Sequence, residues 1–170
     1  MTNKNQMVNV ETGEIVETPN TLVRETDQYV ISKTEDGKFV RKAKYEDYSS
    51  FKAETRQDKI WLLNIMEGDE ETGNPLSEHI GKVIEVQDII TRKYDKLNED
   101  TGELEYGVLT YLITPDKQAF VTSSKTVYFS VNRIMDLFGR PDEEGWENIK
   151  LKVGSEKGAN GTIIKVKLVG

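Results

Sequence analysis

The chain has 170 residues, a net charge of −7, 36% hydrophobic and 31% charged residues, and no cysteine. Such a composition suits a globular domain with an extension and is too apolar for wholesale disorder. The missing thiols exclude disulfides and thiolate zinc sites, and no apolar run approaches the ~20 residues that cross a bilayer.

Residues 1–46 are polar and punctuated by turns, and are expected to form an N-terminal extension. Glu11-Thr12-Gly13 separates the β-prone pieces Val8–Val10 and Ile15–Val16, and Glu35-Asp36-Gly37 separates Tyr29–Ile31 from Phe39–Val40. Each reads as a hairpin. Isolated hairpins are marginal in water, so they need a surface to pack on. Met1–Val10 lacks the apolar core of a signal peptide, and the absence of cysteine suits a cytoplasmic setting.

Thr55–Glu67 reads as a helix, with Thr55 as N-cap, Asp58 at the third helical position and Gly68 as stop. Ile60, Leu63 and an Ile65/Met66 contact would form its apolar face, and Trp61 is expected in the core. Gly68–Pro75 is a loop. Ile80–Tyr94, Tyr106–Thr114 and Ala119–Thr122 then carry strand composition. In the second of these both faces are largely apolar, so its interior face stays open. Tyr106 and Tyr111 must point to opposite sides.

From Thr126 the spacing changes. Val127, Tyr128, Val131, Ile134, Met135 and Phe138 fall on one helical face, with Ser123 or Ser124 as cap and Gly139 and Pro141 as terminators. Ile149–Val153 and Thr162–Val169 return to alternation. Lys150 and Lys152 oppose an apolar set on one strand, as do Lys165 and Lys167 on the other. Gly154–Gly161 would be a mobile connecting loop. From Trp146 onward five lysines stand against two glutamates in an otherwise acidic chain.

The order strand, strand, strand, helix, strand, strand predicts a mainly β protein with a five-stranded oligonucleotide/oligosaccharide-binding (OB) barrel. Its domain would be residues 47–170, including the leading helix near 55–67, with a hairpin extension at residues 1–46. Single-strand binding needs cations along the phosphates and flat rings under the bases. The candidate cations are Arg92, Lys93, Lys96, Lys125, Lys150, Lys152, Lys165 and Lys167; the candidate rings are Tyr94, Tyr106, Tyr111 and Phe120. The acidic tip Asn98–Glu103 would repel phosphate, so contacts are expected at the base of that loop. For each ring a core role competes with stacking, and for the hairpin lysines the competing role is a solvated face that discourages edge pairing.

Catalysis finds little support. His79 is the sole histidine, which rules out a histidine triad or cluster. The acidic runs Asp69-Glu70-Glu71 and Asp142-Glu143-Glu144 read as solvated surface, and no phosphate-binding loop or dinucleotide fingerprint is present. No cofactor or metal is expected.

Four stretches resemble the single-stranded-DNA-binding replication proteins of phages and mobile elements of Gram-positive bacteria. They are Val8–Ile15, Phe51–Asn64 with Thr55-Arg56 leading into a helix, Ile80–Val86, and Ser124-Lys125-Thr126-Val127-Tyr128 leading into Ile134–Gly139. The resemblance implies a non-catalytic OB barrel that coats single strands in the host cytoplasm, with single-stranded DNA, neighbouring copies or replication proteins as partners. Lys125 and Tyr128 match that pattern best. The chain ends in strand-like Lys165–Gly170, whereas bacterial single-strand-binding proteins end in an acidic tail. The acidic remainder of the chain favours one alternative, an OB module that docks on a host replication or defence protein.

Overall fold

A computed structural model describes residues 6–8, 15–17, 21–26, 28–68 and 73–170. Contacts divide the chain into two units, Met1–Tyr45 and Glu46–Gly170. The first holds the hairpin β1 (Gln6–Val8) and β2 (Ile15–Glu17), and an antiparallel sheet of β3 (Thr21–Glu25), β4 (Tyr29–Lys33) and β5 (Phe39–Ala43). The turn expected at Glu11–Gly13 lies outside the described residues. β4 and β5 lengthen the pieces expected from sequence, and β3 is an addition that alternation alone does not mark.

The second unit is mainly β with two helices. β6 (Tyr48–Ser49), α1 (Arg56–Glu67) and β7 (Gly73–Pro75) lead through a single 3-10 turn into β8 (Val83–Val86) and β9 (Asp88–Leu97). β10 (Leu104–Ile113), β11 (Ala119–Thr122), α2 (Lys125–Phe138), β12 (Ile149–Gly158) and β13 (Gly161–Val169) complete it. The run expected as one strand, Ile80–Tyr94, breaks at Gln87. β8 joins the sheet β13-β12-β8, while β9 joins the sheet β6-β9-β10-β11-β7.

Both faces of the five-stranded sheet are covered, which is why strand β10 is apolar on both sides. Of its even positions, Leu112 joins the main core of Ile89, Phe120, Val127, Val131, Met135, Leu151 and Val153, and the buried Val108 lies on the same side by alternation. Its odd positions, Tyr111 and Ile113, meet Ile65 of α1 with Ile90 and Ala119. Each such buried aliphatic side chain contributes roughly 1.5–3 kcal/mol relative to exposure.

Helix α1 starts on a reciprocal capping box. The Thr55 hydroxyl accepts from the Asp58 amide, the Asp58 carboxylate accepts from the Thr55 amide, and Gly68 closes the helix at φ +81°. Its buried face is a correction. Ile60 and Leu63 are exposed, whereas Ile65 is buried and Trp61, Leu62 and Met66 pack beside it. Six apolar residues crowd Ile60–Met66, so no single stripe stands out in this helix. In α2 Ser124 is the cap, Val127, Tyr128, Val131, Ile134 and Met135 are buried as expected, and Phe138 is instead exposed in the final turn.

Two further expectations are corrected. Gly154–Gly158 is not loop but paired strand: β12 runs on until Ala159-Asn160 turns the chain, with Gly158 opposite Gly161. The small glycines let the ladder continue to a two-residue turn. The sheets also do not close into a barrel, because among the described residues no ladder joins β11 to β13. β7 instead pairs in parallel with the edge of β11.

Candidate nucleic-acid interface

The register of β12 and β13 decides where the C-terminal lysines point. Lys152 lies directly opposite Lys167, and Lys165 opposite Gly154, so the alternation places Lys150, Lys152, Lys165 and Lys167 on one face. The other face carries the buried Ile149, Leu151 and Val153. Two carboxylates that sequence reasoning missed share the lysine face. Glu85 lies opposite Lys150 on β8, and Glu156 pairs with Lys165 at 2.8 Å. Like charges directly opposite each other destabilise a sheet, so an anion between Lys152 and Lys167 would relieve that pair.

A second surface comes from β9 and β10. Their ladder extends from Asp88–Ile113 out to Leu97–Leu104. Strands β6 and β11 flank it only at Ile90, Thr91 and Thr110 to Ile113, so the part beyond is a two-stranded ribbon. The pleat separates residues adjacent in sequence. Arg92, Tyr94 and Lys96 share one side; Lys93 and Tyr106 share the other. Tyr94 is 37% exposed and Tyr106 is 47% exposed. The Tyr94 ring lies across Gly107, where a Cβ would come within 2.3 Å of its Cζ. Glycine at this position leaves room for the ring. The Arg92 guanidinium reaches back and donates from Nη1 to the Met66 sulfur at 2.9 Å.

Lys125 stands at the first position of α2. It lines a cleft of 540 Å³ between β11 and β13 with Ser123, Thr126, Thr162 and Ile163, a hydroxyl-rich lining that the sequence pattern does not mark. Ser124 is committed there, capping α2 and donating to the Ile164 carbonyl at 2.6 Å.

Two proposed rings do not reach solvent. Tyr111 is 2% exposed against the α1 cluster, and burial raises its phenol pKa. Phe120 is 6% exposed in the main core, with the His79 ring edge-on at 4.7 Å. Neither can stack a base, because each fills a sheet face covered by other elements. Tyr106 and Tyr94 remain as rings at the surface. They lie on a different sheet from the four lysines.

Among the described residues no group of three or more carboxylate or histidine side chains is placed to hold a metal ion, and no helix is long and apolar enough to cross a membrane. Asp69-Glu70-Glu71 lies outside the described residues. Asp142 accepts a hydrogen bond from the Tyr48 hydroxyl. That bond lowers its pKa, while burial and the same bond raise that of Tyr48.

Comparison with known proteins bears on what these surfaces serve. A family model described as phage single-stranded DNA-binding protein matches residues 42–167. The single-stranded DNA-binding protein of Bacillus phage GA-1 is 38% identical over 151 residues, covering 88% of each chain. No solved structure matches the chain. The match spans α1, both sheets and the lysine hairpin, and the chain belongs to the family of phage single-stranded DNA-binding proteins.

Proposed function

We propose that this protein binds single-stranded DNA during replication of a phage genome, in the host cytoplasm and without sequence preference. The observation that carries the reading is the coverage of the GA-1 single-stranded DNA-binding protein, which reaches across nearly the whole chain. The lysine face of β12 and β13 supports it physically. Cations spaced along a sheet follow a phosphate chain regardless of base, and rings on the β9–β10 ribbon offer sequence-tolerant stacking. On this reading Lys150, Lys152, Lys165 and Lys167 contact phosphates, Arg92, Lys93, Lys96 and Lys125 extend the positive track, and Tyr94 and Tyr106 take bases. The action is binding, with no catalytic step.

We propose further that residues 47–170 are an OB fold opened along one seam. The support is connectivity. Counting β8 with β9 as one bent strand, that strand pairs with β10 and β12, β10 pairs with β11, and β12 pairs with β13. Only the ladder between third and fifth strands is missing, and the cleft holding Lys125 lies there. α2 falls between the third and fourth strands, as in that fold.

The test is a salt titration of binding to oligo-dT. Binding whose log affinity falls linearly with log salt, by about 0.7 for each phosphate neutralised, is the expected result. No detectable binding at low salt would remove the reading in favour of a protein-docking role.

A further inference from the structure

The N-terminal sheet β3–β4–β5 has no core of its own, since none of residues 21–45 with a described side chain is buried. Here the charges are sorted. Across one rung Ile31 is flanked by Arg24 on β3 and Arg41 on β5; across the next, Lys33 is flanked by Thr21 and Phe39. Tyr29 occupies the same face one rung further, opposite Ala43. Among the described residues no carboxylate shares this face or pairs with Arg24, Lys33 or Arg41. Glu25 is on the reverse face, paired with Lys44 at 2.5 Å. The turn acid Asp36 pairs with Lys38 at 3.3 Å.

A β-bulge produces the sorting. The register shifts between Leu22 and Arg24, so Val23 is the extra residue. Without it, Arg24 would point to the reverse face and Glu25 would join the cations. The bulge therefore removes the one acid of β3 from this surface and adds a guanidinium to it.

The rings on this face are already matched with cations. The Arg41 guanidinium lies over the Tyr29 ring at 3.5 Å, and the Lys33 ammonium lies 5.9 Å from the centroid of Phe39, which is 67% exposed. A guanidinium stacked on one ring leaves its outer plane open to a base, and an exposed phenyl offers a second plane. The two β5 positions sit roughly 6.8 Å apart along the strand. We propose that this face, Arg24, Tyr29, Lys33, Phe39 and Arg41, is a second contact surface for single-stranded DNA, separate from the lysine hairpin. Residues 21–41 precede the part matched by the family model, and the GA-1 protein match, though it reaches them, assigns no contact residues. The proposal rests on the reading that the chain binds single-stranded DNA.

The test uses the full-length chain and a long, end-labelled oligo-dT, followed by fluorescence anisotropy across a salt series. The triple variant Arg24→Gln, Lys33→Gln, Arg41→Gln should bind more weakly and show a salt slope shallower by about 2, at ~0.7 per phosphate. Phe39→Ser should weaken binding roughly tenfold with an unchanged slope, as expected for a lost stacking plane. Lys42→Gln, a charge removed from the reverse face, should leave both quantities unchanged. Circular dichroism checks that the sheet survives. Photocrosslinking of the wild type to an iodo-uracil strand gives a measurement free of substitution, and the crosslink should map to the peptide containing Phe39. Wild-type affinity and slope in both variants, with no crosslink there, would overturn the proposal while leaving the lysine-hairpin reading standing. Absence of wild-type binding would remove that reading as well. An affinity loss that tracks a changed association state in sedimentation, or an equal loss in Lys42→Gln, would assign the face to a second copy or to general charge and also overturn it.

Discussion

Single side chains in this protein are sorted by what lies across the sheet from them. Tyr94 and Tyr111 have the same chemistry and lie on the same side of the β9–β10 ladder, yet one rests over a glycine at the solvent edge and the other beneath α1. Tyr94→Ala should therefore cost about 1–3 kcal/mol of single-strand affinity. It should cost under about 1 kcal/mol of stability, as for a cross-strand pair. Gly107→Ala tests the same ring from beneath. The added methyl meets the Tyr94 ring, which must move, and affinity should fall in parallel with Tyr94→Ala. Tyr111→Ala should do the reverse, losing roughly 3–5 kcal/mol of stability by cavity formation while the folded fraction binds as before. Thermal melts beside anisotropy separate the two patterns; a large melting loss with preserved affinity for Tyr94→Ala would make that ring structural.

Asp58 makes a second residue-scale case. The Lys117 ammonium beside it, together with the Thr55 hydroxyl and amide, holds its carboxyl down at about 2. Because the folded value lies below the unfolded one, the charged carboxylate stabilises the fold above the ordinary aspartate pKa of about 4, and that contribution is lost as pH falls toward 2. The melting temperature of Asp58→Asn should therefore lie below wild type at pH 6. The gap should close between about pH 4 and pH 2. A gap independent of pH would mean that the capping geometry, and not the charge, is what the residue supplies.

At the scale of elements, alternation is informative wherever one face of an element is wet. The lysines of β12 and β13 are legible because every second residue is apolar, and the register places all four together. α2 is legible for the same reason, with a stop at Gly139. Strand β10 is not, since α1 and α2 cover opposite faces of its sheet and leave no polar side to read. α1 misleads for a related reason: Ile60 and Leu63 are apolar and exposed, and the true buried face runs through Asp58, Trp61, Leu62, Ile65 and Met66. The break at Gln87 carries no glycine or proline signal, so the run reads as one strand where two sheets meet. Replacing Lys150, Lys152, Lys165 and Lys167 with glutamine should leave stability within ~0.5 kcal/mol per site, as for other surface changes. It should make the salt dependence of oligo-dT binding shallower by about 0.7 for each phosphate left without its lysine. An unchanged slope would reduce this face to a solvated edge. The Lys165 replacement alone should have the smallest effect, because Glu156 already neutralises that ammonium.

At the scale of the whole molecule, the two buried clusters are built, among the described residues, from side chains of the unit Glu46–Gly170. Cooperative unfolding follows from burial, so the chain that begins at Glu46 should melt in one transition with a midpoint within a few degrees of the full chain. It should also keep its affinity for an oligo-dT only long enough to occupy the lysine hairpin. What truncation should reduce is affinity for longer strands, since Arg24, Lys33, Phe39 and Arg41 leave with the removed segment. The measurement is a length series of oligo-dT on both chains at one salt concentration. The curves should coincide for short strands and diverge as length increases. Coincidence at every length would leave the N-terminal sheet without a part in binding. A truncated chain that fails to fold would mean that residues before Glu46 support the clusters by interactions other than burial, and would move the boundary between the units.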